Sequence, residues 1–445
     1  MHMRQKILVV SLAFILAFSC GKGSSRFPDN GGLWPIQEAG KTGFIDSSGK
    51  VVIPPTFEEA RTFSEGRAAF RVGNRWGYLD EKGQIAINPQ FDDAGLFFDG
   101  LAPVATDARW GFVDKTGKIV VNPQFDGADR FSEGLAPVKV GEQVGFIDKE
   151  GKLVVNPQFG YAAPFSEGLA AVYLEKRWGY IDKNGKIVVN PQFDFAGSFS
   201  DGLAPVMTGD RAGYITPDGK FAVNPQFDFA GELHEGLAPV KSGEKWGYVS
   251  KEGKYVINPQ FDDAGIFREG RAEVQIGSRH GYIDTSGKFV INPQFVFASM
   301  FDNGLAWVKP EKGNAGYVDK NGKFVWEDKS GNYRQTMADM HSAATAWEAR
   351  ATDMNSYSVT GYDGALSGGQ LAGALSPTYI KRLPVTDGWS TPFLFEVANG
   401  GTTYRIGSKG PNKQSPGLSN PDDDDIVFSD GSFTRVPKGI PAEIE

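Results

Sequence analysis

A chain of 445 residues is too long for one ordinary compact core, so it must divide into domains or build an array. Glycine at 57 residues and aromatics at 13% are both high, the composition of many short strands joined by tight turns. The net charge of -8 is mixed in sign and holds no Lys/Arg-rich run, which gives a nucleic-acid partner no electrostatic footing.

The chain opens with a targeting segment. Arg4 and Lys6 precede an apolar run over residues 7–18, the layout of an export signal and too short to span a bilayer as a helix. The run ends in Leu16-Ala17-Phe18-Ser19-Cys20-Gly21, which resembles the lipobox of bacterial lipoproteins. That resemblance makes residues 1–20 a signal and Cys20, the lone cysteine, the lipidated residue. It implies an exported cell-envelope protein held to the membrane by a lipid anchor. Gly21, standing where an aspartate would retain the protein on the inner membrane, favours the outer membrane. Residues 21–31 are a Ser/Gly-rich tether.

From residue 32 to 328 one pattern repeats. Asn190-Pro191-Gln192-Phe193 returns with a period of 34, and its phenylalanines run Phe57, Phe91, Phe125, Phe159 and on to Phe295. A strict period without insertions marks a tandem array in which each copy buries its apolar face on its neighbours. Glycines in phase from Gly32 to Gly304 count nine starts, the last copy being incomplete. Residues 169–173, 178–182 and 186–190 read as a three-stranded antiparallel meander, with Gly185 closing a short hairpin loop. Pro191 is expected to stop the third strand, because it lacks a ladder donor. Phe193, Ala196 and Phe199, three apart, suit one tight helical turn, with the two phenylalanines as plugs between copies.

The glycine of Trp178-Gly179 persists in every copy, whereas the tryptophan slot also accepts Thr42, Val144, Ala212 and His280. A close backbone approach or an unusual φ at the glycine accounts for that asymmetry. Trp-Gly-Tyr-Ile-Asp, Gly-Lys, Asn-Pro-Gln-Phe and Phe-Ser-Glu-Gly-Leu-Ala together resemble the WG (KWG) repeat family. The resemblance implies a β-repeat binding or scaffolding region, closed as a propeller-like ring or open as a solenoid, and transfers no ligand residues.

Residues 330–445 change character. Asn332 with Gln335 reads as a capping box, and Met337, Met340, Ala344, Trp347, Ala351 and Met354 mark the apolar face of a helix of about six turns. Turn-rich extended segments follow, so a small α+β domain with one long helix on an antiparallel sheet is expected. Tyr379-Ile380-Lys381-Arg382-Leu383-Pro384, Asp387-Gly388-Trp389 and Asp424-Asp425-Ile426 resemble the globular part of the type II secretion major pseudopilin and related type IV pilin-like proteins. The family's N-terminal cleavage motif and polymerising helix are absent. Its acidic loop binds calcium, which by the resemblance places Asn412, Asp423, Asp424 and Asp425 as candidate ligands; hard oxygen donors of this kind suit such a cation, though a solvated acidic loop is the plain alternative.

No catalytic constellation stands out. His234, His280 and His341 are isolated, so metal-ligand spacing is lacking. The acids Glu65, Asp99, Glu133, Glu167, Asp201, Glu235 and Glu269 recur before the same glycine, as turn-capping residues would. The sequence therefore points to a non-catalytic, lipid-anchored envelope scaffold whose β-repeats offer a multivalent surface to a protein or glycan. The alternative is an accessory of a type II secretion or pilus-like system, docking through residues 330–445 to its subunits. Any binding site must lie where the copies differ.

Overall fold

The computed structural model describes residues 20–21, 24–25, 27–38, 40–354, 357, 364–376, 378–398, 402–411, 425–430 and 432–436. They group into two compact units, the first ending at Glu327 and the second beginning at Asp328, with residues 37–41 counted in the second.

In the first unit the repeating element is a four-stranded antiparallel sheet. That of residues 161–193 has strands Tyr161–Ala162, Leu169–Leu174, Arg177–Asp182 and Ile187–Phe193, paired in chain order. The meander expected from the sequence is present, with a short strand added in front. This corrects the helical turn: Phe195–Ala196, inside the segment read as helical, is the first strand of the next sheet. The reason is hydrogen bonding. Asp194 N donates to Met207 O at 2.9 Å and Gly197 N to Pro205 O at 2.8 Å, so the backbone there continues the ladder instead of turning on itself.

Pro191 does not stop its strand either. Trp178 pairs with Phe193 and Tyr180 with Val189, so residues 190–192 bulge over Gly179 while the strand carries on. A proline is tolerated at a bulge of an edge strand, where no ladder donor is required. The hairpin glycine behaves as its position demands: Gly185 has φ 81°, and Asp182 Oδ1 accepts from Asn184 N at 3.0 Å and Lys186 N at 2.9 Å.

Sheet 1 covers residues 34–57 and has three strands; sheets 2 to 7 open at residues 59, 93, 127, 161, 195 and 229. Sheet 8 opens at residue 263, and its last strand, Phe289–Ala298, runs on into sheet 9, which ends at Glu327. Between neighbours lie the buried apolar clusters. Tyr180, Val189 and Phe193 of sheet 5 meet Ala196, Phe199 and Ala204 of sheet 6 in one of them, so the two phenylalanines are inter-copy plugs. Burying each stabilises by about 2–3 kcal/mol.

Nine sheets in an open row would have eight such interfaces. Among the described residues there are nine, and the ninth joins Leu305, Tyr317 and Trp326 to Trp34, Ile36 and Ile45. The array is therefore a closed, propeller-like ring. Polar contacts seal the joint: Asn30 Nδ2 donates to Asp302 Oδ2 at 3.0 Å, Trp34 Nε1 to Asp302 O at 3.0 Å and Tyr317 OH to Pro35 O at 2.8 Å. At the joint Gly49 abuts the backbone carbonyl of Val325, where at an ordinary interface Gly83 abuts the side chain of Ile53.

In the second unit, helix α1 (Ser330–Met354) buries Met337, Met340, Ala344 and Trp347 in a core shared with a five-stranded antiparallel sheet. It starts at Ser330, which puts Asn332 at an internal position of the helix, and Met354 at the other end is exposed. A capping box does occur at the next helix. Ser367 and Gln370 close the start of helix α2 (Gly368–Leu375), an element the turn-rich composition hid. Thr403–Ser408 and Ile426–Ser429 are strands, whereas residues 379–384 form none.

Candidate ligand-binding surface

Residues directly opposite one another on neighbouring strands share a face of the sheet. In sheet 5 such a row reads Tyr161, Tyr173, Trp178, Phe193. Its far end, Phe193, is buried between copies, while its near end opens to solvent. The leading position differs in chemistry from copy to copy. It is acidic in sheets 2, 3 and 8 (Glu59, Asp93, Asp263), glycine in sheet 4 (Gly127), and aromatic in sheets 5, 6, 7 and 9 (Tyr161, Phe195, Phe229, Phe297).

Those aromatics stay half-exposed, at 44% for Tyr161, 36% for Phe195, 41% for Phe229 and 51% for Phe297. On sheets 5 to 7 they gather partners. Trp178 stands 5.4 Å from Tyr173, 5.5 Å from Tyr161 and, across the junction, 6.1 Å from Phe195 between ring centroids. Phe195 faces Met207, and Phe229 lies 5.4 Å from Trp246. The result is an aromatic arc over three consecutive copies. Burial and Asp129 raise the Tyr161 hydroxyl's pKa against the opposing pull of Arg130, so the phenol is a neutral donor around pH 7.

The charges bordering the arc are unequal. Asp194 pairs with Arg177 and accepts from Gly209 N at 2.7 Å; Asp228 pairs with Arg211 at 2.6 Å and accepts from Gly243 N at 2.6 Å. These carboxylates are neutralised in place. Lys139, opposite Gly127, and Lys241, opposite Phe229, make no ion pair among the described residues.

The repeated acids sit elsewhere and do structural work. Glu133, at φ 55°, accepts from Gly168 N of the next sheet at 3.0 Å and pairs with Lys183 at 3.1 Å. They cap a turn as expected, but the turn belongs to the neighbouring copy. His234 is buried where other copies place a serine such as Ser200, whose Oγ donates to Leu233 O at 2.6 Å. His280 pairs with Glu273, and that hydrogen bond raises its pKa despite partial burial. His341 is exposed on α1 near the Phe428 ring.

Among the described residues no three His, Cys, Asp or Glu side chains come together as a metal site. Of the candidate calcium ligands, Asp425 is buried just before the strand Ile426–Ser429; Asn412, Asp423 and Asp424 lie outside the described residues. The signal residues 1–19 lie outside them too. Cys20 forms a two-residue strand with Gly21, paired with Ser24–Ser25, and its side chain is not among those described.

Tyr161, Tyr173, Phe195 and Phe229 were not singled out from sequence. Their signal was available: aligned at a period of 34, the second residue after Asn-Pro-Gln-Phe changes from acid to aromatic over a contiguous stretch. Reading that segment as a helical turn concealed it.

A closed ring of antiparallel sheets with constant interfaces and a variable exposed row defines a β-repeat protein of binding or scaffold type. The family model for the WG containing repeat matches eight times in succession, over residues 43–76, 76–108, 110–143, 145–178, 178–211, 213–246, 246–279 and 281–313. The chain belongs to that family. No curated protein matches it. Among solved structures, one described as the eukaryotic initiation factor is 12% identical, with a TM-score of 0.50, covering 66% of this chain and 94% of its own. That is a likeness of fold. The dihydro-heme d1 dehydrogenase NirN matches at 12% identity and a TM-score of 0.38, over 66% of this chain and 76% of its own. Kluyveromyces lactis Hsv2 matches at 9% identity and 0.33, over 56% and 91%.

Proposed function

We propose that the chain is a non-catalytic binding scaffold of the cell envelope whose ligand surface is the aromatic arc on sheets 5 to 7. One observation carries this reading. Exposed aromatics are concentrated where the copies differ, while the residues they have in common lie in the interfaces. Clustered Tyr, Trp and Phe with partly exposed faces are what a binding surface needs, since they supply large contact area at low entropy cost. Export and anchoring through Cys20, with the outer membrane as the address, complete the reading. The test is binding of the labelled full chain to isolated cell envelopes beside the variant Tyr161→Ser/Phe195→Ser/Phe229→Ser. Loss of binding in a folded variant supports the arc; undiminished binding removes it.

A second reading is an accessory role in a type II secretion or pilus-like system. It is favoured by the long helix packed on a small antiparallel sheet in the second unit, which agrees with the pilin-like resemblance of residues 330–445. Copurification of pilus or pseudopilus subunits with the full chain, lost on deletion of 330–445, would support it. Calcium at Asn412 and Asp423, Asp424 and Asp425 belongs to the same reading, and the buried position of Asp425 suits a liganding carboxylate. A calcium-dependent thermal shift abolished by Asp424→Ala/Asp425→Ala would test it, and an unchanged melting curve would remove the ion.

A further inference from the structure

We propose that the arc on sheets 5 to 7 takes an anionic polysaccharide, a linear chain of carboxylated sugars. The proposal rests on the arc being the binding surface and names its ligand. Tyr161, Phe195 and Phe229 occupy one equivalent position on three successive sheets, so the surface presents the same kind of contact at each step around the ring. A polymer of like units can repeat its contact at every step and gain affinity from the linkage, which a ligand with a single epitope cannot.

The chemistry of the rings selects the polymer's units. An aromatic face carries the negative side of a quadrupole, which attracts the slightly positive C–H groups lining one face of a sugar ring. A peptide adding itself as a strand needs an open backbone edge instead. Along the arc the edge strands Tyr161–Ala162, Phe195–Ala196 and Phe229–Ala230 are two residues each, too short to template an added strand. The edge strand on the far side of the sheet is bent by the bulge at Pro191, which spoils it as a flat template.

Charge selects the carboxylates. Lys139 on sheet 4 and Lys241 on sheet 7 flank the arc and, among the described residues, hold no ion pair, whereas Asp194 and Asp228 are held by Arg177 and Arg211. Acids return at the leading position only beyond the arc, as Asp93 on sheet 3 and Asp263 on sheet 8. An anionic chain is thus held between two lysines and repelled past either end. Screening confines these effects to roughly 8–10 Å at ordinary ionic strength, so the lysines act on a chain already seated on the rings.

The test titrates the full chain with two polyuronates, alginate and polygalacturonate, each beside its carboxyl-reduced form, following tryptophan fluorescence and heat. The expected result is binding of at least one polyuronate, weakened tenfold or more by carboxyl reduction, by Lys139→Gln/Lys241→Gln and by Tyr161→Ser/Phe195→Ser/Phe229→Ser. Thermal melts establish that both variants fold. Three results would overturn the proposal: no binding to either polyuronate, equal affinity for the reduced polymers, or tighter binding of poly-L-glutamate. If any of these occurs while envelope binding still depends on the three aromatics, the ligand is wrongly named and the binding surface stands. If envelope binding is indifferent to them, the surface itself is wrong.

Discussion

Gly179 lies directly beneath Pro191. A Cβ on the glycine would stand 2.7 Å from the proline nitrogen, 2.5 Å from Val189 O and 2.9 Å from Asn190 C. The two motifs by which the repeat is recognised, Trp-Gly and Asn-Pro-Gln-Phe, are therefore halves of one device: the bulge needs a residue without a side chain under it. The contact is with backbone, which cannot rotate out of the way as a side chain could. That is why the glycine is constant while its tryptophan neighbour varies.

Gly179→Ala should accordingly destabilise the ring by about 1–3 kcal/mol through overpacking. Gly202, at φ 84° with nothing near the position of its Cβ, would be harmed by alanine through backbone strain alone. The two are told apart by a second change. Pro191→Gly, which loosens the bulge, should recover part of the loss in Gly179→Ala and none in Gly202→Ala, as read from denaturant midpoints. Equal response of both would show that the bulge is not the obstacle.

Left-handed backbone at the repeated acids makes an unusual order of substitutions. Glu167 has φ 52°, and its carboxylate accepts from Gly202 N at 2.9 Å across the copy boundary. Alanine there loses the cap and keeps the strain, while glycine loses the cap and sheds the strain. Glu167→Gly should be more stable than Glu167→Ala by about 1 kcal/mol, the reverse of the order on a helix. Thermal melts of the pair measure it, and alanine proving the better tolerated would refute the account.

Closure of the ring hangs on Asp302, which replaces the serine of other copies. It accepts from Asn30 Nδ2 and pairs with Arg268, while its backbone carbonyl receives Trp34 Nε1. Asp302→Ala leaves polar partners without their acceptor and should cost about 1–3 kcal/mol. In a repeat array each interface contributes separately. Hydrogen exchange should therefore quicken first in the strands Trp34–Glu38 and Gly316–Asp319, with Arg177–Asp182 little changed. Uniform acceleration around the ring would contradict a localised joint.

The array, its period and the inter-copy role of Phe193 and Phe199 were legible because each depends on one copy and its repetition. Closure was not, since it is a relation between Trp34 and Trp326 at opposite ends of the array, and no periodicity encodes how much each junction turns. Pro191 misled for a similar reason: its local meaning is a strand stop, and only the opposing Gly179 lets the strand pass. The aromatic arc was visible as variation among copies. It became a site only when cross-strand pairing placed Tyr161, Tyr173 and Trp178 on one face.

Sheet 8 supplies a pH-dependent prediction. His280 and Glu273 are paired on one face, and the carboxylate holds the imidazole's pKa above its ordinary value of 6.5, outweighing the opposite effect of burial, with Asp263 adding to the rise. A histidine whose pKa is higher folded than unfolded contributes stability that is fully present below the unfolded value and lost as pH rises through the folded one. Glu273→Gln should bring the His280 pKa down, as followed by NMR with the resonance assigned through its loss in His280→Asn. The stability advantage of the native protein over Glu273→Gln should be fully present below the ordinary value of 6.5 and shrink as pH rises through the raised folded value. A gap between the two midpoints that stays constant across that window would mean that the pair adds nothing beyond the lost packing of the carboxylate.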